Sequence, residues 1–421
     1  MTPSDTPQTE RAAPAERTVQ TADGSAGLAG RDFLLMLAAS FGMFSNHAVL
    51  LSVVPLWSVG GGAGHGGAGV TTGTVMAVTV LVQVWMGRLT GRFGARVLLA
   101  AGALLLGVPS FGYAVSDALP WVLAVSAVRG AGFGIVTVAG AALAAAMVAP
   151  DRRGRAVGLY GLAVGLPQVL VLPAGLWAAE RFGFVPVFVV AGVLSVLAAP
   201  LVAAMSGRTT LARRAGATRA RGPARASVSD SVGAARRVLA GSAGPWTALF
   251  ASACAFGGIA SFLPLALDDP AAAATALLVL SAAIIAGRWA AGVWSDRCGA
   301  GRLAAPGVLV TAAGMAGLAF AASPAGGGIV AVVAAAAYGL GFGLVQNDTL
   351  VVMFHRSGPD GHGSASAAWN IAFDAGTGVG AVVLGLVSGA LGIAGSFAVA
   401  AAGVIAALPL AWLDARARRA D

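Results

Sequence analysis

Two carboxylates lie inside long apolar stretches of this sequence, where ionisable side chains are rare. Of the 17 acidic residues, only Asp348 and Asp374 fall deep within such a stretch. Burial and neighbouring charges both change the affinity of a carboxyl group for a proton. A buried carboxyl that alternates between two surroundings could therefore bind and release a proton. The structural alternative is that each carboxylate caps backbone groups or pairs permanently with an arginine.

Further polar side chains lie in the same kind of stretch and could share a path with the carboxylates. Asn370 precedes Asp374 by four residues, which places both on one face of a helix. The expected path for substrate and protons comprises Asn46, His47, Gln83, Arg129, Gln168, Arg288, Gln346, Asn347, Asp348, Asn370 and Asp374. His47 is of the residue type that titrates near neutral pH in water. The structural alternatives are hydrogen bonds between helices for the amides and His47, and contacts with backbone carbonyls for Arg129.

The elements that hold these residues are long apolar helices. The chain has 421 residues, of which 57% are hydrophobic and 10% are charged, whereas soluble domains carry about 25% charged residues. A run of about 20 apolar residues can cross a hydrocarbon core of roughly 30 Å as a helix. Twelve such runs are predicted, at 32–58, 70–89, 97–116, 119–148, 156–179, 184–205, 246–267, 274–295, 303–322, 328–354, 365–388 and 391–413. We therefore expect an all-α membrane protein with twelve transmembrane helices.

The basic residues indicate how these helices are oriented. All 26 of them are arginines, and they cluster in the N-terminal tail and in loops after even-numbered runs, as Arg92, Arg152 and Arg297 illustrate. Positive loops stay in the cytoplasm, so both termini are predicted to be cytoplasmic. The net charge of +9 therefore reflects membrane orientation and does not indicate a nucleic-acid partner. Arginine-only basicity and richness in alanine are typical of high-GC bacteria, so the expected location is the bacterial cell (inner) membrane.

The two halves of the chain repeat one pattern. RGAGFG at 129–134 corresponds to YGLGFG at 338–343, an offset of 209 residues. At an offset of 205, Gly87, Arg92 and Gly94 recur as Gly292, Arg297 and Gly299. We therefore expect a duplicated unit of six helices. The predicted organisation is a cytoplasmic tail at 1–31, a six-helix bundle at 32–205, an Arg-rich cytoplasmic linker at 206–243, a second six-helix bundle at 244–413 and a cytoplasmic tail at 414–421.

The repeated loop is similar to a motif of the major facilitator superfamily. Residues 87–96, GRLTGRFGAR, resemble its pattern Gly-x-Leu-x-Asp-Arg-x-Gly-x-Arg between the second and third helices. Gly91 stands where the family has an aspartate, whereas the second half keeps Asp296. Arg129 and the glycines after it resemble the fourth-helix motif of the same superfamily. The resemblance implies two pseudo-symmetric bundles, with the first, fourth, seventh and tenth helices around a central path.

The same resemblance implies a gate at the inner end of the helices. Its predicted members are Gly87, Arg92, Gly94, Arg96, Gly292, Asp296, Arg297 and Gly299. Asp296 is expected to latch onto the start of the fifth helix near Gly154 and Arg155, because a carboxylate is favoured at a helix N-terminus. The symmetrical latch would lack a charge at Gly91, so one strong latch is predicted.

The fifth helix is similar to that of drug and metabolite efflux members. Gly161 and Gly165 fit their pattern, while Pro167 comes one place later than in the family. The resemblance therefore implies a secondary active transporter that works by alternating access and exports a small organic molecule in exchange for protons. Proton-coupled uptake and a non-transporting membrane sensor are the alternatives.

No enzyme chemistry is expected of this chain. The sequence contains no nucleotide-binding P-loop, no metal-spaced His/Cys cluster and no nucleophile triad, so no catalytic residue, metal site or cofactor is predicted. The expected partners are a small-molecule substrate, protons and the lipid bilayer, and the protein is expected to be a monomer.

Overall fold

The computed structural model describes residues 30–148, 153–206 and 242–420. Most of the predicted linker and N-terminal tail therefore lie outside the described residues. The helices are α1 Arg31–Gly60, α2 Gly64–Phe93, α3 Ala95–Gly107 with a 3₁₀ continuation Val108–Ala114, α4 Leu119–Ala146, α5 Arg153–Phe182, α6 Phe184–Ala203, α7 Ala243–Ala266, α8 Pro270–Cys298, α9 Ala304–Ala321 and α10 Gly328–Ser357.

The last apolar helical segment, Ser364–Asp414, is too long for a single crossing. Its 51 residues would extend about 76 Å as a straight helix, more than twice a hydrocarbon core of roughly 30 Å. Gly392 interrupts it with a φ of 70°, a left-handed conformation that glycine adopts without steric cost. The segment therefore turns at Gly392.

Contacts with α7 confirm that the chain reverses there. Gly380, before the turn, packs against Cys254 in the middle of α7, whereas Asp414, after the turn, packs against Gly244 at the start of α7. We name the two parts α11 (364–391) and α12 (393–406), and a final helix α13 Leu408–Ala420 follows. The apolar segment continues to Asp414, so its parts before and after Gly392 each exceed the roughly 20 residues needed for one crossing. The described residues thus contain twelve membrane crossings, as predicted.

Equivalent helices end in the same way in both halves. Gly94 ends α2 with φ 81° and ψ 149°, and Gly299 ends α8 with φ 87° and ψ 151°. Gly183 between α5 and α6 has a φ of 84°, and Gly392 between α11 and α12 has a φ of 70°. These pairs keep the offsets of 205 and 209 residues. The predicted fold of two pseudo-symmetric six-helix bundles is confirmed.

The bundles meet along α2 with α11 and along α5 with α8. Near the start of α2, a side chain at Gly69 would lie 2.2 Å from the Ala381 carbonyl oxygen, and Gly73 is equally crowded. Near the end of α2, a side chain at Gly87 or Gly91 would meet nothing within 4 Å. The α2–α11 interface is therefore closed at the predicted outer end of the molecule and open at the predicted inner end.

Candidate functional site

A buried hydrogen-bond network centres on Arg129 in α4. Its side chain is 2% exposed, and it donates from Nη2 to Asn46 Oδ1 at 3.0 Å and from Nη1 to the Tyr113 hydroxyl at 3.2 Å. The Asn46 amide donates to the Ser110 hydroxyl at 2.9 Å and to the Ala191 carbonyl oxygen at 2.8 Å. The network therefore fixes the guanidinium among the first, third, fourth and sixth membrane crossings.

A small cavity lies beside this network, between α1, α2 and α4. Its walls include His47, Arg129, Thr71 and Thr72, and it has room for about one water molecule. The His47 ring stacks on Phe133, with ring centroids 3.5 Å apart. His47 Nδ1 and Arg129 Nε are buried and have no hydrogen-bond partner among the described residues. Because buried polar atoms are nearly always paired, two unpaired ones at one cavity mark it as a candidate binding site.

Asp374 joins the two bundles through one hydrogen bond. It lies in α11, is 4% exposed, and accepts a hydrogen bond at Oδ2 from Gln83 Nε2 of α2 at 2.7 Å. Gln83 Nε2 also donates to the Thr137 hydroxyl of α4 at 3.2 Å. No cationic side chain of the described residues forms an ion pair with Asp374. The hydrogen bonding of its carboxylate therefore depends on a contact that breaks when the bundles separate.

Stacked aromatic rings hold the part of α11 that carries Asp374. Phe373 stacks on Phe342, with ring centroids 6.0 Å apart, and on Trp369 at 5.9 Å. Phe342 in turn packs on Phe256 at 5.6 Å. The stack connects α7, α10 and α11 and holds the segment that carries Asp374 within the second bundle.

Asp348 has a different set of partners. Its Oδ1 accepts a hydrogen bond from the Gly301 amide at 2.7 Å, and its Oδ2 accepts from the amides of Leu303 and Ala304 at 3.1 and 2.7 Å. These amides open α9, where the first N–H groups of a helix lack partners within the helix. The contacts favour the structural alternative, in which Asp348 caps α9 within the second bundle.

The α5–α8 interface carries two further predicted path residues. Ile285 of α8 lies 3.9 Å from the position of a side chain at Gly165 of α5. Arg288 and Gln168 each follow one of these residues by three positions, which places them on the same helix faces. Arg288 is exposed and Gln168 is half-buried. Both therefore lie along the contact between the bundles.

The remaining amides of the predicted path are placed in helix packing. Asn370 donates to the Ser366 carbonyl oxygen of its own helix at 2.9 Å. Gln346 is buried, and its backbone carbonyl oxygen accepts a hydrogen bond from the Trp369 indole at 3.2 Å. Asn347 Nδ2 is buried and unpaired among the described residues.

The predicted inner-gate residues lie at the ends of α2, α3 and α8. Arg96 donates to the backbone carbonyl oxygens of Val202 and Ala203 and thereby caps the C-terminus of α6. Gly292 lies near Asn347. Gly87, Arg92 and Arg297 are exposed. Gly94 ends α2 and Gly299 ends α8. The side chains of Asp296 and of residues 153–155 lie outside the described part of the chain, so the latch between them stays a prediction.

A second hydrogen bond crosses the bundles nearer the outer end. The hydroxyl groups of Thr72 in α2 and Ser261 in α7 lie 3.0 Å apart, and both residues are buried. Thr72 also lines the cavity beside Arg129. The closed outer interface therefore covers the candidate site.

Gly69→Val is expected to hold this outer interface open. The new Cβ would meet the Ala381 backbone, which cannot move aside as a side chain can. Such overpacking costs roughly 1–3 kcal/mol, which changes an equilibrium about 5- to 150-fold. The assay uses cells whose protein carries Thr72→Cys and lacks the native cysteines. Adding Gly69→Val should accelerate labelling of position 72 by an impermeant maleimide at least about fivefold. The matched control is Gly91→Val on the same helix, which should leave the labelling rate unchanged; equal labelling of both variants would contradict the assignment.

Four residues of the site were missed by sequence reasoning: Tyr113, Ser110, Thr137 and Thr72. Each carries a hydroxyl group in an apolar helix. Serine and threonine hydroxyls usually bond to the preceding turn, as that of Thr71 does here. Nothing in their spacing distinguishes those that reach another helix. Their roles become visible only once the helices are placed side by side.

Comparison with known proteins gives one family. The sequence profile of the Major Facilitator Superfamily matches residues 33–381. Among solved structures, the fold is similar to a partially occluded inward-open conformation of the xylose transporter XylE from E. coli, with 16% identity, a TM-score of 0.71 and coverage of 91% of this chain and 96% of that chain. Comparison with curated protein sequences finds no match.

Two further solved structures share the fold. A bacterial homologue of the human lysosomal transporter Spinster, in an inward-facing and unoccupied conformation, has 14% identity, a TM-score of 0.71 and coverage of 91% of this chain and 96% of that chain. The nucleoside transporter NupG has 14% identity, a TM-score of 0.69 and coverage of 91% and 99%. Identities this low indicate a common fold and carry no information on substrate.

Proposed function

Because this chain belongs to the Major Facilitator Superfamily, we propose that it is a secondary transporter that exports a small organic molecule in exchange for protons. Membership in this family points to a transporter rather than an enzyme. The partial match of α5 to the efflux pattern, at Gly161 and Gly165, supports export. Proton-coupled uptake is the alternative direction.

The observation that carries the proposal is the Gln83–Asp374 hydrogen bond. It connects a buried carboxylate of one bundle to an amide of the other at 2.7 Å. When the bundles separate on the α2 side, the carboxylate loses this donor, so its affinity for a proton differs between the two conformations. A group of this kind couples proton binding to the movement that exposes the site alternately to each side.

The conformation of the molecule agrees with such a cycle. The bundles are packed against each other at the outer end of α2 and separated at its inner end. The α5–α8 interface adds Arg288 and Gln168, which we propose as polar groups along the inner cleft. The inner gate would close this cleft through the proposed latch of Asp296 in the alternate conformation.

We further propose that the protein works as a monomer in a bacterial inner membrane, with both termini in the cytoplasm. The arginine distribution supports this orientation. A monomer is sufficient because the candidate site and both interfaces between bundles are built from one chain.

The test of coupling and direction uses everted membrane vesicles whose interior has been acidified by respiration. A pH-sensitive dye reports the lumen while antibiotics and secreted metabolites are added one at a time. Export by exchange predicts that a substrate accumulates inside and raises the internal pH. Uptake with protons predicts that a preloaded substrate leaves together with protons, and a sensor predicts neither change. Vesicles without the protein provide the baseline.

A further inference from the structure

The charge of Arg129 has no counter-charge among the described residues. Two of the five N–H donors of its guanidinium go to the neutral groups of Asn46 and Tyr113, and no described carboxylate forms an ion pair with it. An unpaired charge buried within a membrane protein is costly. The buried carboxylates of the spans are engaged elsewhere, Asp374 with an amide of α2 and Asp348 with the amides that open α9. A bound ligand can supply the negative charge that the described residues do not place beside Arg129.

Two unpaired nitrogen atoms belong to residues that line the cavity between α1, α2 and α4. Arg129 Nε and His47 Nδ1 are both unpaired, and their side chains are 2% and 4% exposed. The His47 ring has at least one N–H donor in either protonation state. The cavity therefore combines a cation with hydrogen-bond donors, which suits a group with negatively charged oxygen atoms.

The second bundle shows which of these features the fold itself requires. Pro55 inside α1 and Pro264 inside α7 are also 209 residues apart. The same offset therefore relates the first helix of each bundle. At this offset the equivalent pairs are His47 with Phe256, Arg129 with Tyr338, and Phe133 with Phe342. The first bundle thus has a cation and an imidazole where the second has two aromatic rings.

Ring stacking occurs at both sets of equivalent positions. The ring centroids of His47 and Phe133 lie 3.5 Å apart, and those of Phe256 and Phe342 lie 5.6 Å apart. The Tyr338 hydroxyl, at the position equivalent to Arg129, donates to a backbone carbonyl of α7 at 2.6 Å. Neutral aromatic residues occupy the equivalent positions in the second bundle. The fold itself therefore does not require the positive charge of Arg129 in the first bundle.

We propose that Arg129 and His47 form a subsite for an anionic oxygen group, of the carboxylate class, on the transported molecule. Asn46 and Tyr113 are positioning residues that hold the guanidinium in place. The cavity has room for about one water molecule in this conformation, so the organic part of the ligand enters only when the surrounding helices move apart. The inference rests on the proposed transport function and adds to it the chemical class of the substrate.

The test measures thermal stabilisation of the purified full-length protein in detergent. The probes are benzoate, phenylacetate and octanoate, each compared with its own primary amide, which has nearly the same shape without the charge. Binding to the folded state alone raises the Tm, so at least one acid should raise the Tm by about 2 °C or more while its amide does not. Arg129→Gln should raise the half-saturating concentration of that acid about tenfold or more.

A second variant keeps the test decisive if Arg129→Gln does not fold. His47→Phe introduces the residue that stacks at the equivalent position of the second bundle, so it should fold and should also weaken binding of the acid. Equal stabilisation by acids and amides, no shift with any acid, or an unchanged preference in both variants would overturn the proposal. The vesicle assay is independent of this result, because it detects proton exchange with substrates of any charge.

Discussion

Asp374→Asn is expected to abolish proton-driven accumulation of substrate while exchange of substrate across the membrane continues. Asparagine has nearly the same size as aspartate, and its carbonyl oxygen can still accept the hydrogen bond from Gln83 that closes the α2–α11 contact at 2.7 Å. The variant therefore removes the titratable group and retains the contact between the bundles. Movement of the bundles should persist without its link to the proton.

The size of the effect follows from the driving force. One charge crossing 100 mV supplies about 2.3 kcal/mol, which sustains roughly a fiftyfold concentration ratio. When the gradient is imposed as a pH difference without a membrane potential, everted vesicles with the native protein should approach that ratio for each equivalent of 100 mV, and vesicles with Asp374→Asn should reach no ratio above one. Exchange of labelled for unlabelled substrate, measured without a gradient, should stay within about a factor of a few of the native rate.

Asn370→Ala is the matched control for this experiment. Asn370 lies on the same helix face one turn away, and its amide is used by its own helix through Ser366. Its removal should leave driven accumulation intact. Full accumulation in Asp374→Asn would exclude this residue as the proton carrier and would remove the main support for proton coupling.

Most of the fold could be predicted from hydropathy, because a helix that crosses the lipid is predominantly apolar over about 20 residues. The predicted runs 119–148 and 184–205 correspond to α4 Leu119–Ala146 and α6 Phe184–Ala203. The turn at Gly392 was also predictable in principle, since its equivalent, Gly183, stands 209 residues earlier. The sequence does not predict which end of the molecule is closed, because that depends on the relative position of two rigid bundles.

The candidate site was predictable only in part. Placing Asn46, His47 and Arg129 in one region required only the repeat and the family pattern, and the structure brings these three together. Which partner each side chain takes depends on helix rotation, because successive residues point about 100° apart. The consecutive residues Asn347 and Asp348 illustrate this: Asp348 turns towards the amides that open α9, whereas Asn347 turns towards Gly292 of α8.

The two halves of the molecule have diverged in chemistry while keeping one architecture. The first bundle places a cation and an imidazole beside the cavity between α1, α2 and α4, and the second places stacked aromatic rings at the equivalent positions. The second bundle adds a carboxylate, Asp374, at its contact with the first. In the proposed mechanism, the first bundle recognises the substrate and the second carries the proton. The link between them is Gln83, which belongs to the first bundle and donates to the second.

Asp348→Ala is expected to destabilise the second bundle strongly, in contrast to Asp374→Asn. The change leaves the amides of Gly301, Leu303 and Ala304 without their acceptor at the start of α9. Leaving a buried donor without its acceptor costs about 1–3 kcal/mol, so three such amides should cost at least about 3 kcal/mol together. For a unit of the size of one bundle, each kcal/mol lowers the Tm by about 2–4 °C. The Tm of the purified variant should therefore fall by about 10 °C.

The neighbouring variant Asn347→Ala provides the comparison, because the Asn347 amide nitrogen has no hydrogen-bond partner among the described residues. Its Tm should stay within about 2 °C of the native value. Asp348→Asn, which keeps one acceptor oxygen, should lie between the two. A native Tm for Asp348→Ala together with lost transport would mean that the helix cap is dispensable and that Asp348 acts on the proton or the substrate. A large loss of stability instead leaves Asp374 as the one buried carboxylate of the described spans that is free to couple proton binding to movement.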